Sequence, residues 1–214
     1  MPVRKLPLIE GKIYHIFTKS IAGFQIFRCN MDYRRMLQTL TYYNDEKPPL
    51  KFSSFLKTKK DISGIPHTPT KLVKIIAYCL MPTHLHLILQ QVKKNGISNY
   101  MGQVLKSYSK YFNEKYNRKG PLMESRFKNV LVETDEQLLH LTRYLHLNPV
   151  TAYLTDKPED WIFSSYQEYI GEKKERICEF EEFLDINGKD YKTFVYDRID
   201  YQRKLAEIKH LLLE

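Results

Sequence analysis

Two neighbouring apolar runs constrain most strongly what this 214-residue chain can fold into. Residues 71–81 and 84–92 are rich in Leu, Ile and Val, and a Pro-Thr pair at residues 82–83 separates them. Such a pattern predicts two antiparallel strands that lie side by side. Because side chains alternate between the two faces of a strand, His84 and His86 should share one face. The leucines between and after them should point the other way, into a core.

The rest of the chain alternates between strand and helix patterns. Residues 12–20 and 126–133 favour strands, and residues 30–43, 98–116 and the stretch from Thr134 favour helices by their apolar spacing. The resulting order is strand, helix, strand, strand, helix, strand and a final helix. That is the split βαβ, ferredoxin-like order. We therefore expect an α+β fold with a four-stranded antiparallel sheet and extra C-terminal helices.

Turn and capping signals set the expected boundaries. The last core helix should begin at Thr134, which forms a capping-box pattern with Gln137. It should end near Asn148, because Pro149 disfavours helical backbone in the residue before it. Residues 47–70 are rich in Lys, Pro, Ser and Thr and are predicted to be a loop or linker.

Charge is distributed unevenly along the chain. Residues 171–214 hold 9 basic and 11 acidic residues, whereas residues 1–170 hold 25 basic and 14 acidic ones. We therefore predict a main domain over residues 1–170 and a helical extension over residues 171–214. A basic main domain fits a polyanionic partner, most simply nucleic acid. A soluble protein that happens to be basic is the alternative.

Compartment signals point to the cytoplasm. No apolar run is long enough to cross a bilayer, and the first ten residues lack the apolar region of a signal peptide. The three cysteines lie far apart and form no CxxC motif, which favours a reducing compartment and argues against a zinc ribbon. We expect a cytoplasmic, nucleoid-associated protein with no membrane partner.

A polar stripe on the last core helix carries candidate chemistry. His140, Tyr144 and Asn148 follow one another at a spacing of four residues and so share a helix face. A phenol is a poor nucleophile at neutral pH, since its pKa is about 10. A metal ion that withdraws charge from the electrophile makes such a group competent. Two strand histidines and one side-chain oxygen would supply ligands for that metal.

These motifs resemble those of a known family. Residues 81–87, Met-Pro-Thr-His-Leu-His-Leu, resemble the HUH motif (histidine, bulky hydrophobic, histidine) of the single-tyrosine transposases. Residues 143–150, Arg-Tyr-Leu-His-Leu-Asn-Pro-Val, resemble their tyrosine helix. The nearest likeness is to the REP-associated tyrosine transposases and their insertion-sequence relatives, over roughly residues 8–171. Supporting stretches are residues 11–15, 111–113, 124–128 and 161–166.

The resemblance implies a specific reaction and site. Members of this family act on single-stranded DNA, often beside a hairpin, and form a 5′-phosphotyrosine link while releasing a 3′-OH. By position, Tyr144 would be the nucleophile, and His84 and His86 would bind Mg²⁺ or Mn²⁺. Asn148 would be a third, polar metal ligand. Thr83 stands where the common pattern has Asn, a position that is not a ligand in that scheme.

Basic residues interleaved with aromatic ones mark the expected DNA contacts. Basic side chains track phosphates, and exposed aromatic rings stack on unpaired bases. Arg126 and Lys128 alternate on a predicted strand and should face one side. Relatives act as monomers or as homodimers, and the sequence leaves both open. The candidates for DNA binding are Lys106, Lys110, Arg118, Lys119, Arg126 and Lys128.

Other functions compete with transposition. A HIT-type nucleotide hydrolase would need a third histidine at position 88, which is Ile88. A replication initiator or relaxase shares the same chemistry, usually within a larger domain. A domesticated hairpin-binding regulator without transposition is the non-catalytic alternative. The presence of His84, His86 and Tyr144 together favours a catalytic protein.

Overall fold

Four strands form the sheet of this protein. The computed structural model describes residues 7–58 and 70–211. Its strands are β1 (Ile13–Lys19), β2 (Val73–Met81), β3 (His84–Gln91) and β4 (Lys128–Val132). Their order across the sheet is β2-β3-β1-β4, the ferredoxin-like order, so the predicted α+β fold is confirmed. The hairpin of β2 and β3 falls where the two apolar runs predicted it.

Seven α-helices accompany these strands within the described residues. Helices α1 and α3 begin and end within two residues of the predicted boundaries. The C-terminal part of the chain is helical, as expected. The helices are α1 (Asn30–Tyr42), α2 (Phe52–Thr58), α3 (Gly96–Lys115), α4 (Asp135–Thr151), α5 (Tyr166–Tyr169), α6 (Gly188–Tyr196) and α7 (Ile199–Leu211).

The chain divides into two compact units. Within the described part of the chain, the first unit contains residues 7–58, 70–74, 82–84 and 89–131, and the second contains residues 75–81, 85–88 and 132–211. The predicted division into residues 1–170 and 171–214 stays a prediction. Among the described residues, no helix is long and apolar enough to cross a membrane.

Helices α1 and α3 pack against each other in the first unit. Their apolar stripes are fully buried, as shown by Met36 on α1 and Val104 on α3. Two buried tyrosines of α3 also tie the helix to main-chain carbonyls. Tyr100 donates to the carbonyl of Leu40 (3.0 Å) and Tyr108 to that of Ile26 (2.5 Å). Buried hydroxyls need such partners, so these tyrosines are structural.

Helix α4 is anchored in the second unit by a buried histidine. Nδ1 of His146 lies 2.6 Å from the Tyr191 hydroxyl of α6, and Nε2 lies 2.7 Å from the Ser165 hydroxyl. Burial lowers the pKa of His146 to about 3, so the imidazole is neutral and can donate on one side while accepting on the other. The C-terminal helices therefore fix the position of α4.

Two of the predicted boundaries were wrong. Residues 47–70 were predicted as a loop, but α2 occupies Phe52–Thr58, and residues 59–69 lie outside the described part of the chain. Phe52 and Phe55 lie one turn apart and are buried against Tyr42, with ring centroids 4.8 and 5.1 Å away. This tertiary packing outweighs the weak helical signal of the segment.

Helix α4 does not stop near Asn148 but continues to Thr151 with Pro149 inside it. Pro149 and Val150 are buried, and their packing offsets the hydrogen bond that proline cannot make. Of the two hydrogen bonds that the predicted capping box at Thr134 requires, one is present. The Thr134 hydroxyl accepts from the amide of Gln137, whereas the Gln137 side chain accepts from Glu133 rather than from Thr134.

Candidate active site

The second unit brings Tyr144 of α4 beside His86 of β3. Their ring centroids lie 6.1 Å apart and the rings are nearly perpendicular, at 85°. Tyr144 is 42% exposed although its neighbours Leu145 and His146 are fully buried. The His86 side chain is buried. A phenol that a ligand can reach therefore lies against an imidazole that is sheltered from solvent.

Arg143, directly before Tyr144, contacts both Phe194 and His140. The Arg143 guanidinium donates to the Phe194 carbonyl (3.2 Å) and lies 4.0 Å from the centroid of the Phe194 ring. It also lies 2.7 Å from Nδ1 of His140. Arg143 precedes Tyr144, and His146, with its two buried hydrogen bonds, follows it. The helix backbone is therefore anchored both before and after Tyr144. Such anchoring fixes the direction in which the phenol projects.

The phenol of Tyr144 is protonated at neutral pH. Burial raises its pKa above the ordinary value, and the proximity of Cys79 adds to this effect. The Asn148 side chain, one turn later on α4, acts in the opposite direction. Nδ2 of Asn148 is buried and makes no hydrogen bond of normal geometry within the described residues, so its contact with Tyr144 is weaker than a full hydrogen bond. Nucleophilic attack by Tyr144 therefore requires activation.

His84 is a neutral imidazole whose orientation is set by its neighbour. Burial, with a smaller contribution from Lys19, lowers the pKa of His84 to about 4. The Thr83 hydroxyl lies 3.0 Å from Nδ1 of His84. If Nδ1–H donates to this hydroxyl, the lone pair on Nε2 is left to bind a metal, as in many histidine metal sites. Because His84 and His86 are two residues apart on β3, strand alternation gives them the same face.

His84, His86 and Asn148 stay the predicted ligands of a divalent cation. Two imidazoles and one amide oxygen would be a mixed donor set that suits a borderline ion such as Mn²⁺, whereas Mg²⁺ prefers oxygen. Over residues 7–58 and 70–211, no three His, Cys, Asp or Glu side chains gather as they do in an all-protein metal site. The remaining ligands would come from water and phosphate oxygens.

Comparison with known proteins finds similar sequences over the segment that contains these residues. A sequence profile described as "Transposase IS200 like" matches residues 66–148, the segment that contains His84, His86, Tyr144 and Asn148. A curated protein of Haemophilus influenzae, named as a REP-associated tyrosine transposase, is 27% identical over 102 residues. In sequence, this chain is similar to the single-tyrosine transposases. The resemblance expected from the two motifs is thus confirmed.

The extent of the similarity differs between the comparisons. The alignment with the Haemophilus protein covers 42% of this chain and 57% of that relative, so the chain spans little more than half of its length. A solved structure, described as a REP-associated tyrosine transposase bound to a REP hairpin, superposes with a TM-score of 0.53 at 16% identity. The superposition covers 87% of this chain and 99% of the solved chain. At that identity the superposition confirms the fold.

The predicted DNA-binding residues all lie in the first unit. Lys106 and Lys110 are exposed on α3 and line a cavity. Arg118 follows α3, donates to the side chain of Asn113 and the carbonyl of Gly120, and is partly shielded. Lys119 beside it is exposed. Contact between these side chains and DNA stays a prediction.

One prediction about this group needs correction. Arg126 was expected to alternate with Lys128 on a strand, but β4 begins at Lys128, so Arg126 lies before the strand. The hydrogen bond from the Thr18 hydroxyl to the carbonyl of Ser125 (3.5 Å) lies in this irregular stretch. Both basic side chains are exposed. Strand alternation therefore does not establish that the two share a face.

Sequence reasoning missed two contributors near these sites. Thr83 was treated as a minor departure from the family pattern, yet its hydroxyl contacts the ring of His84. The available signal was its position directly before the first histidine of the motif. Arg35 on α1 lines the same cavity as Lys106 and Lys110. It was not considered, because nothing in its local sequence distinguishes it from a surface residue of an amphipathic helix.

Proposed function

We propose that this protein is a metal-dependent single-stranded DNA endonuclease and strand transferase that acts in DNA transposition. One observation carries the proposal: the exposed phenol of Tyr144 lies beside His86 in a chain similar to IS200-like transposases. The exposure of Tyr144 supports a catalytic tyrosine over a packing tyrosine, because the side chain of a packing tyrosine is normally buried.

The proposed cleavage is a transesterification at a backbone phosphate. The Tyr144 oxygen attacks phosphorus and forms a new P–O bond, while the bond from phosphorus to the 3′ oxygen breaks. The phenolic proton leaves Tyr144, and the departing oxygen takes up a proton to become a 3′-OH. Attack by a 3′-OH on the 5′-phosphotyrosine reverses these bond changes and rejoins the strands. One phosphodiester replaces another, so no ATP is required.

Three side chains would hold the metal. We assign His84, His86 and Asn148 as ligands of Mg²⁺ or Mn²⁺, which is consistent with a neutral His84. When bound, a divalent cation would polarise the phosphate and stabilise negative charge that develops on its oxygens. The buried environment of His86 would exclude competing water from this side of the tyrosine.

We propose single-stranded DNA with an adjacent hairpin as the partner. The solved structure that shares this fold is described as bound to a REP hairpin. The six predicted basic residues would contact phosphates, and a homodimer is compatible with the proposal, as is a monomer. We further propose that the protein acts in the cytoplasm, on the nucleoid. Its three cysteines, including exposed Cys29, form no disulfide, which is consistent with a reducing compartment.

A label-transfer assay tests the proposed reaction. Hairpin oligonucleotides from the genomic flanks would carry a label at either the 5′ or the 3′ end, with Mn²⁺, Mg²⁺ or EDTA present. We expect metal-dependent attachment of the 3′-labelled fragment to protein on a denaturing gel, with the 5′-labelled fragment released free. Attachment of the 5′-labelled fragment would contradict the proposed polarity. Tight hairpin binding without any adduct would favour the domesticated regulator.

Replacement of Thr83 tests the orienting contact on His84. Thr83→Val keeps the side-chain shape but removes the hydroxyl that lies 3.0 Å from Nδ1. We expect the metal concentration for half-maximal cleavage to rise about 10- to 100-fold, as is usual when such a partner of a metal-binding histidine is lost. Thr83→Ser retains a hydroxyl and is the matched control. An unchanged metal requirement in Thr83→Val would show that the Thr83 hydroxyl does not orient His84 for metal binding.

A further inference from the structure

The first unit contains a cavity of about 570 Å³. Its walls come from α1, α3, the start of α2 and the segment of residues 48–51. The volume lies within the range of small-molecule sites in proteins. None of its lining residues is among the four residues that we assign to DNA cleavage. The cavity therefore needs its own explanation.

The charge of the cavity wall is strongly positive. Arg35, Lys51, Lys106 and Lys110 contribute four cationic groups, against the single carboxylate of Glu114. Glu114 lies 3.6 Å from Nζ of Lys110 in an exposed pair, which solvent screens. Three positive charges thus remain without an opposite charge in the wall. The composition favours an anionic ligand.

The Arg35 side chain is held in place by two aromatic rings. Its guanidinium lies 4.2 Å from the centroid of the Phe52 ring and 5.1 Å from that of Tyr111. Nε is buried and has no hydrogen-bond partner within the described residues, and no carboxylate there forms an ion pair with Arg35. Glu114 of the same wall acts on Arg35 only through its charge, without an ion pair. An arginine fixed by ring faces, with no ion-paired carboxylate, presents donors in the planar arrangement that phosphate oxygens accept.

Other residues of the wall are apolar or aromatic. Pro48, Pro49 and Leu50 line it, together with the rings of Tyr43 and Tyr111. The hydroxyls of both tyrosines are engaged: Tyr43 accepts from the amide of Phe52 (3.2 Å), and Tyr111 donates to Asp32 (2.9 Å). Their rings are therefore fixed surfaces. Aromatic surface beside positive charge is the combination that binds a base together with its phosphate.

We propose that this cavity binds one nucleotide, with the phosphate on Arg35 and Lys106 and the base against residues 48–50 and Tyr111. The same chemistry describes a free mononucleotide or one nucleotide of a DNA strand. If the nucleotide belongs to a strand, the cavity is a DNA-anchoring site, and the inference then rests on the proposed function. The cavity residues are not needed for the bond changes at Tyr144.

Titrations of the full-length protein test the cavity. Deoxynucleoside monophosphates, the matching nucleosides, inorganic phosphate and a short oligothymidylate would be titrated by calorimetry. We expect Arg35→Gln and Lys106→Gln each to weaken nucleotide binding about tenfold or more. Arg34→Gln, an exposed neighbour on α1 that does not line the cavity, is the matched control. Lys106 is exposed, so its variant keeps the test valid if Arg35→Gln is unstable.

The arms of this experiment separate the two sources of the nucleotide. Weakened binding of monophosphate, but not of nucleoside, supports a free nucleotide site. Weakened binding of the oligonucleotide alone supports an anchored strand. Equal affinities of both cavity variants and Arg34→Gln for every ligand would overturn the proposal. Adduct formation is measured in parallel for the wild type and Arg35→Gln, because Arg35 is not among the residues assigned to DNA contact. An unaltered adduct with weakened nucleotide binding in Arg35→Gln supports the cavity, and a missing wild-type adduct with intact nucleotide binding contradicts only the proposed cleavage.

Discussion

Tyr144→Phe is expected to abolish covalent attachment to DNA and to leave hairpin binding nearly intact. The substitution removes one oxygen, the proposed nucleophile, and preserves the ring that contacts His86. Loss of a nucleophile lowers such reactions by three orders of magnitude or more, on the order of 10³- to 10⁶-fold. Because Tyr144 is substantially exposed, the free energy of unfolding should change by less than about 0.5 kcal/mol. Denaturing gels measure attachment, and gel shifts measure binding.

A second tyrosine of the same unit provides the control for this experiment. Tyr153 is also exposed and follows α4, so Tyr153→Phe should keep both binding and attachment. Attachment that persists in Tyr144→Phe would assign the nucleophile to another residue. Equal loss of binding and attachment, together with a lower melting temperature, would indicate that the substitution disturbs α4 rather than the chemistry.

Local periodicity explains why the sheet was predictable. The alternating pattern of β3 and the break before it determine the hairpin, and helices α1 and α3 have apolar spacings that match their period. Helix α2 escaped prediction because only Phe52 and Phe55 mark its buried face within a polar segment. Its stability comes from contact with Tyr42, which a pattern within the segment does not contain.

The candidate site was predictable only where its residues lie close in sequence. The spacing of His84 and His86 indicates a shared face, and the family motifs indicate Tyr144 and Asn148. Their proposed roles stay predictions. The cavity could not be predicted, because Arg35 and Lys106 are about 70 residues apart and meet only in the folded first unit. Long-range packing of α1 and α3 creates it.

Asp32 is the most heavily bonded carboxylate of the first unit. Its side chain is 0% exposed. Lys115 (2.7 Å) and Tyr111 donate to Oδ1, and Tyr116 (2.7 Å) donates to Oδ2 with the amides of Arg28 and Cys29. Burial alone would raise the pKa of Asp32, but the hydrogen bonds led by Lys115 outweigh burial and hold it below the ordinary value. This carboxylate therefore joins α1 to the end of α3.

Asp32→Asn is accordingly expected to lower the free energy of unfolding at pH 7 by about 3 kcal/mol. The amide leaves Lys115 without its opposite charge and turns one acceptor into a donor that faces other donors. Since the pKa of Asp32 is lowered in the folded protein, its contribution is full above the unfolded value of about 4. It is lost as the pH falls through the folded value, so the difference between wild type and variant should shrink in acid.

Urea unfolding at several pH values measures this difference. Glu114→Gln is the matched control, because its exposed pair with Lys110 should contribute less than about 1 kcal/mol. If Asp32→Asn lowers the free energy of unfolding by less than about 0.5 kcal/mol, an amide satisfies the five donors as well as the carboxylate does. The same loss at pH 3 and pH 7 would show that packing, rather than the charge of Asp32, joins the two helices.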